Sequence, residues 1–195
     1  MLRLRIMNQK RVSRKTGTAY HEAGHAVCAY LVRKKFRYVT IRANGEYEGH
    51  MRHYQRREAF LTDGEEKART RTSMEKDMMV SLAGGAAVFL LTGKHDYIGK
   101  WSDDHKVMDL SEYVCRSRRE CEAYINWLFI RCESILRSPA NWHAVETLAE
   151  ELLAKETISY RKAVEIIKAA KRKFRRGRWE DAPAQALSVH GGRRP

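Results

Sequence analysis

Residues 20–26 read Tyr-His-Glu-Ala-Gly-His-Ala. His21 and His25 are four positions apart, so on an α-helix they project from one face, one turn from each other. Two imidazoles so placed can converge on one Zn²⁺ at about 2.0–2.1 Å each. Glu22 then points toward the neighbouring edge of the site, where it can take a proton from metal-bound water. The alternative is a pair of ordinary helix histidines. With 8 His in 195 residues, chance produces this pattern in about 3% of such chains, which favours the metal reading. Ala23, Gly24 and Ala26 are small, as a helix requires if something must approach it closely. The segment therefore constrains the fold to one that buries this helix and brings a third ligand to it.

The rest of the composition sets limits. The chain is long enough for one domain with tails, and 43% of it is apolar, which can build a core. Cys28, Cys115, Cys121 and Cys132 show no Cys-x-x-Cys spacing and read as buried or free thiols, not a disulfide frame or a zinc ribbon. The longest apolar run, Leu82 to Leu91, is too short to span a bilayer, and the basic N-terminus lacks the apolar stretch of a secretory signal. The expected localisation is cytoplasmic, with no membrane insertion.

The net charge of +14 is unevenly spread. Residues 1–15 hold six Lys or Arg and no acid, and residues 171–195 hold eight basic residues and two acids. The two ends account for +12, leaving +2 over 16–170. This is a balanced domain with basic ends, not a basic globule. The expected organisation is a basic disordered arm at 1–15, a domain at 16–173 and a basic disordered tail at 174–195.

The apolar set Ala19, Ala23, Ala26, Val27, Tyr30 and Leu31 follows a helical period, predicting a helix from Thr16 or Thr18 to Lys34. Either threonine would cap it, and Arg33, Lys34 and Lys35 would suit its C-terminal dipole. Phe36 to Ile41 is rich in β-formers, Asn44-Gly45 is a turn signal, and Tyr47 to Tyr54 would be the returning strand. Residues 56–71 read as a charged loop that turns helical. Thr72-Ser73-Met74-Glu75 fits a capping box for a buried helix ending at Gly93. Gly84 and Gly85 each cost about 1 kcal/mol inside a helix and suggest that another backbone passes close by.

Ser102 reads as the cap of a helix reaching Cys115. Further helices are expected over 118–137, from Ser138-Pro139 onward, and over 160–173, with Thr157 to Ser159 as an interruption. Tyr124, Trp127 and Phe129 read as core. The fold class is mainly α with a small antiparallel β element.

A catalytic zinc needs three protein ligands and an open position. After His25 the next histidine is His50, so the third ligand comes from a distant segment. The candidates are His50, His53, Glu58, His95, Asp96, Asp103, Asp104 and His105. Asp103 and Asp104 have a purely structural reading as well, because acids favour the first turn of any helix by about 0.3–1 kcal/mol.

Tyr20-His-Glu-Ala-Gly-His-Ala-Val27 resembles the peptidase domain of the FtsH family of AAA zinc proteases. Ser81-Leu-Ala-Gly-Gly-Ala-Ala87 resembles that family's glycine-pair helix. Gly99-Lys-Trp-Ser-Asp-Asp-His-Lys-Val107 resembles its Gly-x-x-Asn-Asp helix start, whose second acid is the third zinc ligand. Leu152-Leu-Ala-Lys-Glu-Thr-Ile158 is similar to a stretch near the domain's end. The resemblance covers about residues 18–170. It implies a helical zinc-peptidase domain with His21, His25 and Asp104 as ligands and Glu22 as catalytic base. It also implies an edge strand that pairs with extended substrate, for which Glu48 to Gln55 is the candidate.

The chain departs from the family pattern in three ways. The ATPase domain and membrane anchors are absent, Asp103 stands where Asn is usual, and Val88-Phe89-Leu90 replaces a segment that carries acids. Asp103 would be a supporting carboxylate or a competitor for the metal.

The expected function is zinc-dependent hydrolysis of peptide bonds in unfolded or loosely folded polypeptide, with a separate ATPase partner as the alternative source of unfolding work. His105, His95 and His50 are the oxyanion candidates. A second class of function is a weak or inactive zinc-binding module of the same fold. A third is nucleic-acid binding through the basic tails, where Lys171-Arg-Lys-Phe-Arg-Arg-Gly-Arg-Trp179 mixes cations with aromatics. A solvated tail is the favoured reading of that stretch.

Overall fold

The computed structural model describes residues 12–43, 50–53, 64–94 and 100–180. Six helices and a small sheet follow one another as α1 (Arg14–Leu31), β1 (Phe36–Thr40), β2 (His50–His53), α2 (Gly64–Thr92), α3 (Lys100–Glu112), α4 (Arg118–Leu136), α5 (Pro139–Lys155), β3 (Thr157–Ser159) and α6 (Tyr160–Glu180). This is the mainly α class with a small β element. No described helix is long and apolar enough to cross a membrane.

Helix α1 is the hub. It packs on α2 and α5 most extensively, and also on β1, α4 and α6. Its residues 17–19 and 21–29 are all buried, which only a sequence of small side chains permits at such close range. A Cβ added at Gly24 would lie 2.5 Å from the Ala83 carbonyl oxygen and 2.6 Å from the Ala87 Cβ. The small residues around the histidines thus let α2 run almost against the backbone of α1. Leu128, Leu136, Leu148, Leu152 and Ile167 fill the surrounding core, each contributing about 1.5–3 kcal/mol by burial.

Helix ends differ from the sequence expectation where several polar residues compete. Ser13, not Thr16 or Thr18, caps α1, its Oγ accepting from the Thr16 amide at 3.1 Å. The helix ends at Leu31, so Arg33, Lys34 and Lys35 lie beyond its last turn. Arg33 takes a left-handed φ of 60°. Its amide bonds Tyr30 at 3.3 Å and that of Lys34 bonds Ala29 at 2.8 Å, the pairing of a Schellman stop. Helix α2 begins at Gly64, a full two turns before the expected capping box. Ser73 instead accepts from Lys34 Nζ at 2.9 Å, next to the Lys34–Asp77 ion pair at 2.7 Å. Gly93 stops the helix as expected, with φ 71° and its amide on Phe89 at 2.8 Å.

The sheet has the order β2-β1-β3, both pairings antiparallel. Strand β1 pairs Val39 with Met51 and Thr40 with His50 on one side, and Val39 with Ile158 and Thr40 with Thr157 on the other. The expected interruption at 157–159 is therefore a third strand. Glu156, in a left-handed conformation with φ 59°, ends α5 and turns the chain into it. β2 forms the outer edge, inside the expected 47–54 segment, and has one strand partner among the described residues. The Asn44-Gly45 turn lies outside them.

Helix α4 corrects one expectation. Trp127 and Ile130 are 47% and 50% exposed, with Tyr124 stacked on Trp127 and the Arg131 guanidinium over the Trp127 ring, 5.4 Å from its centroid. Phe129 is half-buried against Phe89. The four cysteines are free thiols, as expected. Cys28 and Cys132, from α1 and α4, both donate to the Met79 carbonyl, at 3.5 and 3.2 Å. Helix α6 runs through Gly177 to Glu180, past residue 173, and residues 1–11 and 181–195 of the expected arm and tail lie outside the described residues.

Candidate metal centre

Helical spacing puts His21 and His25 on the same face of α1, and the close approach of α2 buries that face. Both side chains are nearly inaccessible, as is Glu22 between them. The two Nε2 atoms are 2.9 Å apart. Asp103, in the first turn of α3, reaches the same point. Its Oδ2 lies 3.3 Å from His21 Nε2 and 3.2 Å from His25 Nε2. One ligand-type atom from each of the three residues thus falls within 4.8 Å of the others.

The tautomer of His25 is fixed by α2. Its Nδ1 donates to the Val80 carbonyl at 2.6 Å, so in the neutral ring Nε2 carries a lone pair. That lone pair faces a carboxylate oxygen and a second imidazole nitrogen. With His21 in the tautomer that also turns an Nε2 lone pair inward, three acceptor atoms meet at distances that repel unless a cation lies among them. Atoms bound tetrahedrally at about 2.0–2.1 Å from one Zn²⁺ are themselves about 3.3 Å apart. The separations here, 2.9, 3.2 and 3.3 Å, fit that requirement.

A proton can partly fill the same role. Burial opposes charging His25, but Asp103 beside and bonded to the ring, with Glu22 and the Val80 carbonyl, pushes it up to about 9. Burial lowers His21, and the neighbouring His25 lowers it further. Burial would raise Asp103, yet the two imidazoles hold its carboxyl well below the usual carboxylate range. Burial raises Glu22 to about 7, with His25 opposing and Asp103 adding to the shift. Glu22 Oε2 and His21 Nδ1 are buried without a hydrogen-bond partner among the described residues. A buried carboxyl with one oxygen unused, next to converging ligand atoms, is suited to hold a proton at neutral pH.

Space for the imidazoles comes from one glycine. A Cβ on Gly84 would lie 2.5 Å from His25 Nε2 and 2.7 Å from His21 Cε1. Gly84 is therefore required by side chains and not by a passing backbone. At Gly85 the nearest atom to an added Cβ is 3.9 Å away, on Phe129, so no close approach explains it. The backbone approach occurs instead at Gly24.

Among the sequence candidates, the structure brings together His21, Glu22, His25 and Asp103. Asp104 follows Asp103 on α3, and its side chain lies outside the described residues. His105 is exposed on α3. His50 and His53 belong to β2, but their side chains lie outside the described residues, as do Glu58, His95 and Asp96 entirely. Val80, whose carbonyl orients His25, left no trace in the sequence, because a backbone acceptor has no residue-type signature. In place of acids, α2 presents a buried Val88 followed by half-buried Phe89 and Leu90. No protein-family model matches the chain, and no curated protein matches it either.

Proposed function

We propose that the protein is a zinc-dependent peptidase whose metal is held by His21, His25 and Asp103. The observation that carries this reading is the convergence of two imidazole nitrogens and a carboxylate oxygen within 3.3 Å of one another beside the buried carboxyl of Glu22. When bound, zinc supplies Lewis acidity and a water acidified toward a pKa of about 7. The Val80 carbonyl keeps His25 Nε2 free to ligate. Asp103 contributes negative charge, leaving the ligand set at a net −1. Glu22, raised to about 7, takes the proton of the attacking water and returns it to the leaving amine. The resemblance of residues 20–27 to the FtsH-type peptidase motif supports these roles for His21, His25 and Glu22; for the third ligand that resemblance implies Asp104, whereas the contacts to both rings favour Asp103. Extended, already unfolded polypeptide is the substrate class, with pairing along the outer edge of β2 as its mode of docking; a partner ATPase would extend it to folded substrates.

A second reading, a zinc-binding module with little or no hydrolysis, is favoured by His21. A metal-ligating histidine ordinarily donates its other ring nitrogen to a supporting acceptor, and His21 Nδ1 has none among the described residues. Glu22→Gln separates the two readings. The peptidase reading expects this variant to retain zinc and lose cleavage of unfolded casein by a hundredfold or more. Cleavage at the wild-type rate would exclude Glu22 as the base. Zinc uptake with no casein cleavage by the wild type would favour the module.

A further inference from the structure

The structure brings together two basic segments that are far apart in sequence. The connection from α1 to β1 carries Arg33, Lys34 and Lys35, β1 adds Arg37, and α6 carries Arg161, Lys162, Lys168, Lys171, Arg172 and Lys173. Both ends of the connection are fixed against α6. On one side Phe36 meets the Tyr160 ring edge to face, with centroids 5.0 Å apart. On the other, Lys171 Nζ lies 6.0 Å from the centroid of the Tyr30 ring and donates to Asn141 Oδ1 at 2.6 Å. The connection between Tyr30 and Phe36 therefore runs alongside α6 over the three turns from 160 to 171, about 16 Å.

The exposed cations of these two segments are Arg33, Lys35, Arg37, Lys168, Arg172 and Lys173. Lys34 is engaged by Asp77 at 2.7 Å, and Arg161 and Lys162 share Glu165 at 3.4 Å each. Glu165 is the one acid of α6 between 160 and 174. Lys168, Arg172 and Lys173 have no acidic partner among the described residues.

We propose that this face binds the phosphodiester backbone of nucleic acid. Two basic segments side by side offer several cations to one phosphate backbone, and cations without acidic partners among the described residues gain affinity by releasing the backbone's counterions. A membrane surface fits less well. A helix lying on lipid must offer an apolar stripe, and the stripe of α6 (Ala163, Ile166, Ile167 and Ala170) is already buried in the core. Phe174 is also engaged, with its ring 6.3 Å from that of His143.

The test is fluorescence anisotropy of the full chain with a labelled 20-base-pair duplex and a labelled 20-nucleotide single strand, across 50–200 mM salt. Lys168→Glu/Arg172→Glu/Lys173→Glu is the principal variant, and the triple Gln variant covers any folding defect of the first. The wild type is expected to bind with a steep salt dependence. Each lost phosphate contact should lower the logarithmic salt slope by about 0.9 on the duplex, and the Glu variant should bind at least thirtyfold more weakly at 50 mM. Binding by both variants at wild-type strength, or no binding by the wild type, would overturn the proposal. So would capture of phosphatidylserine vesicles without affinity for either oligonucleotide. Peptidase activity is not read in this test, so its outcome is independent of the metal centre.

Discussion

Gly84 on α2 faces the imidazole edge of His25 on α1, so close that a Cβ would lie 2.5 Å from His25 Nε2 and 2.6 Å from its Cε1. Any larger residue must move the imidazoles away from Asp103. Gly84→Ala is expected to reduce zinc affinity by tenfold or more. Gly85→Ala has room, with 3.9 Å to the nearest atom, and should keep zinc while gaining up to about 1 kcal/mol from helix propensity. A chelator-competition titration of both variants checks this; equal zinc affinity in both would remove Gly84 from the account.

Gly24 governs stability where Gly84 governs the site. Gly24→Ala would drive a methyl into the Ala83 carbonyl and the Ala87 methyl, contacts that cannot swing aside. Overpacking of this kind costs about 1–3 kcal/mol. Urea unfolding of the metal-free protein should show the lower midpoint with an unchanged slope.

The acids of α3 can be separated by substitution. Asp103→Asn keeps the shape of the side chain but removes its charge and weakens its ligation, so zinc affinity should fall a hundredfold or more. Asp104→Asn should leave affinity within about threefold, since Asp103 is the acid in contact with both rings. Isothermal titration with zinc reads both. Strong loss in Asp104→Asn with none in Asp103→Asn would reverse the assignment made here.

The metal-free protein should lose stability as pH rises. His25 is raised from 6.5 to about 9, so its contribution is fully present below 6.5 and is lost as pH passes through 9. Glu22, raised from 4.5 to about 7, acts in the same direction, its contribution present below 4.5 and lost on passing 7. Asp103 is lowered, so its contribution is lost only in acid, below the window considered; His21 is lowered too and opposes the trend only around and below its ordinary 6.5, at the acid edge of that window. Thermal unfolding after chelation should therefore show a falling midpoint from pH 6 to pH 9. Zinc replaces the proton among the same atoms, so the loaded protein should lose less over that range and melt higher throughout. A flat midpoint in the metal-free protein would contradict the proposed coupling.

The parts of this fold that rest on local pattern were legible in the sequence. The period of Ala19, Ala23, Ala26 and Val27 placed α1, the β-formers at 36–41 placed β1, and Ser138-Pro139 placed the start of α5. Where several residues carry the same local signal, the sequence could not choose between them. Ser13, Thr16 and Thr18 are all competent caps, and Asp103 and Asp104 are adjacent acids in one helical turn. Strand β3 is three residues long, too short to display a period, and it exists because β1 offers Val39 and Thr40 as partners. Gly84 could be flagged as costly in a helix, but what it makes room for depends on a packing that joins residues 25 and 84. The Val80 carbonyl was not legible at all, since every residue has one.

The claim that bears most weight is the ligand set. X-ray absorption at the zinc edge, on the wild type and on Asp103→Asn after loading with one equivalent of zinc, reads it directly. The account expects the wild type to show two imidazole nitrogens and oxygen scatterers at about 2.0–2.2 Å, with the carboxylate contribution lost in Asp103→Asn. A wild-type spectrum showing sulfur ligation, or no imidazole scattering, would contradict it.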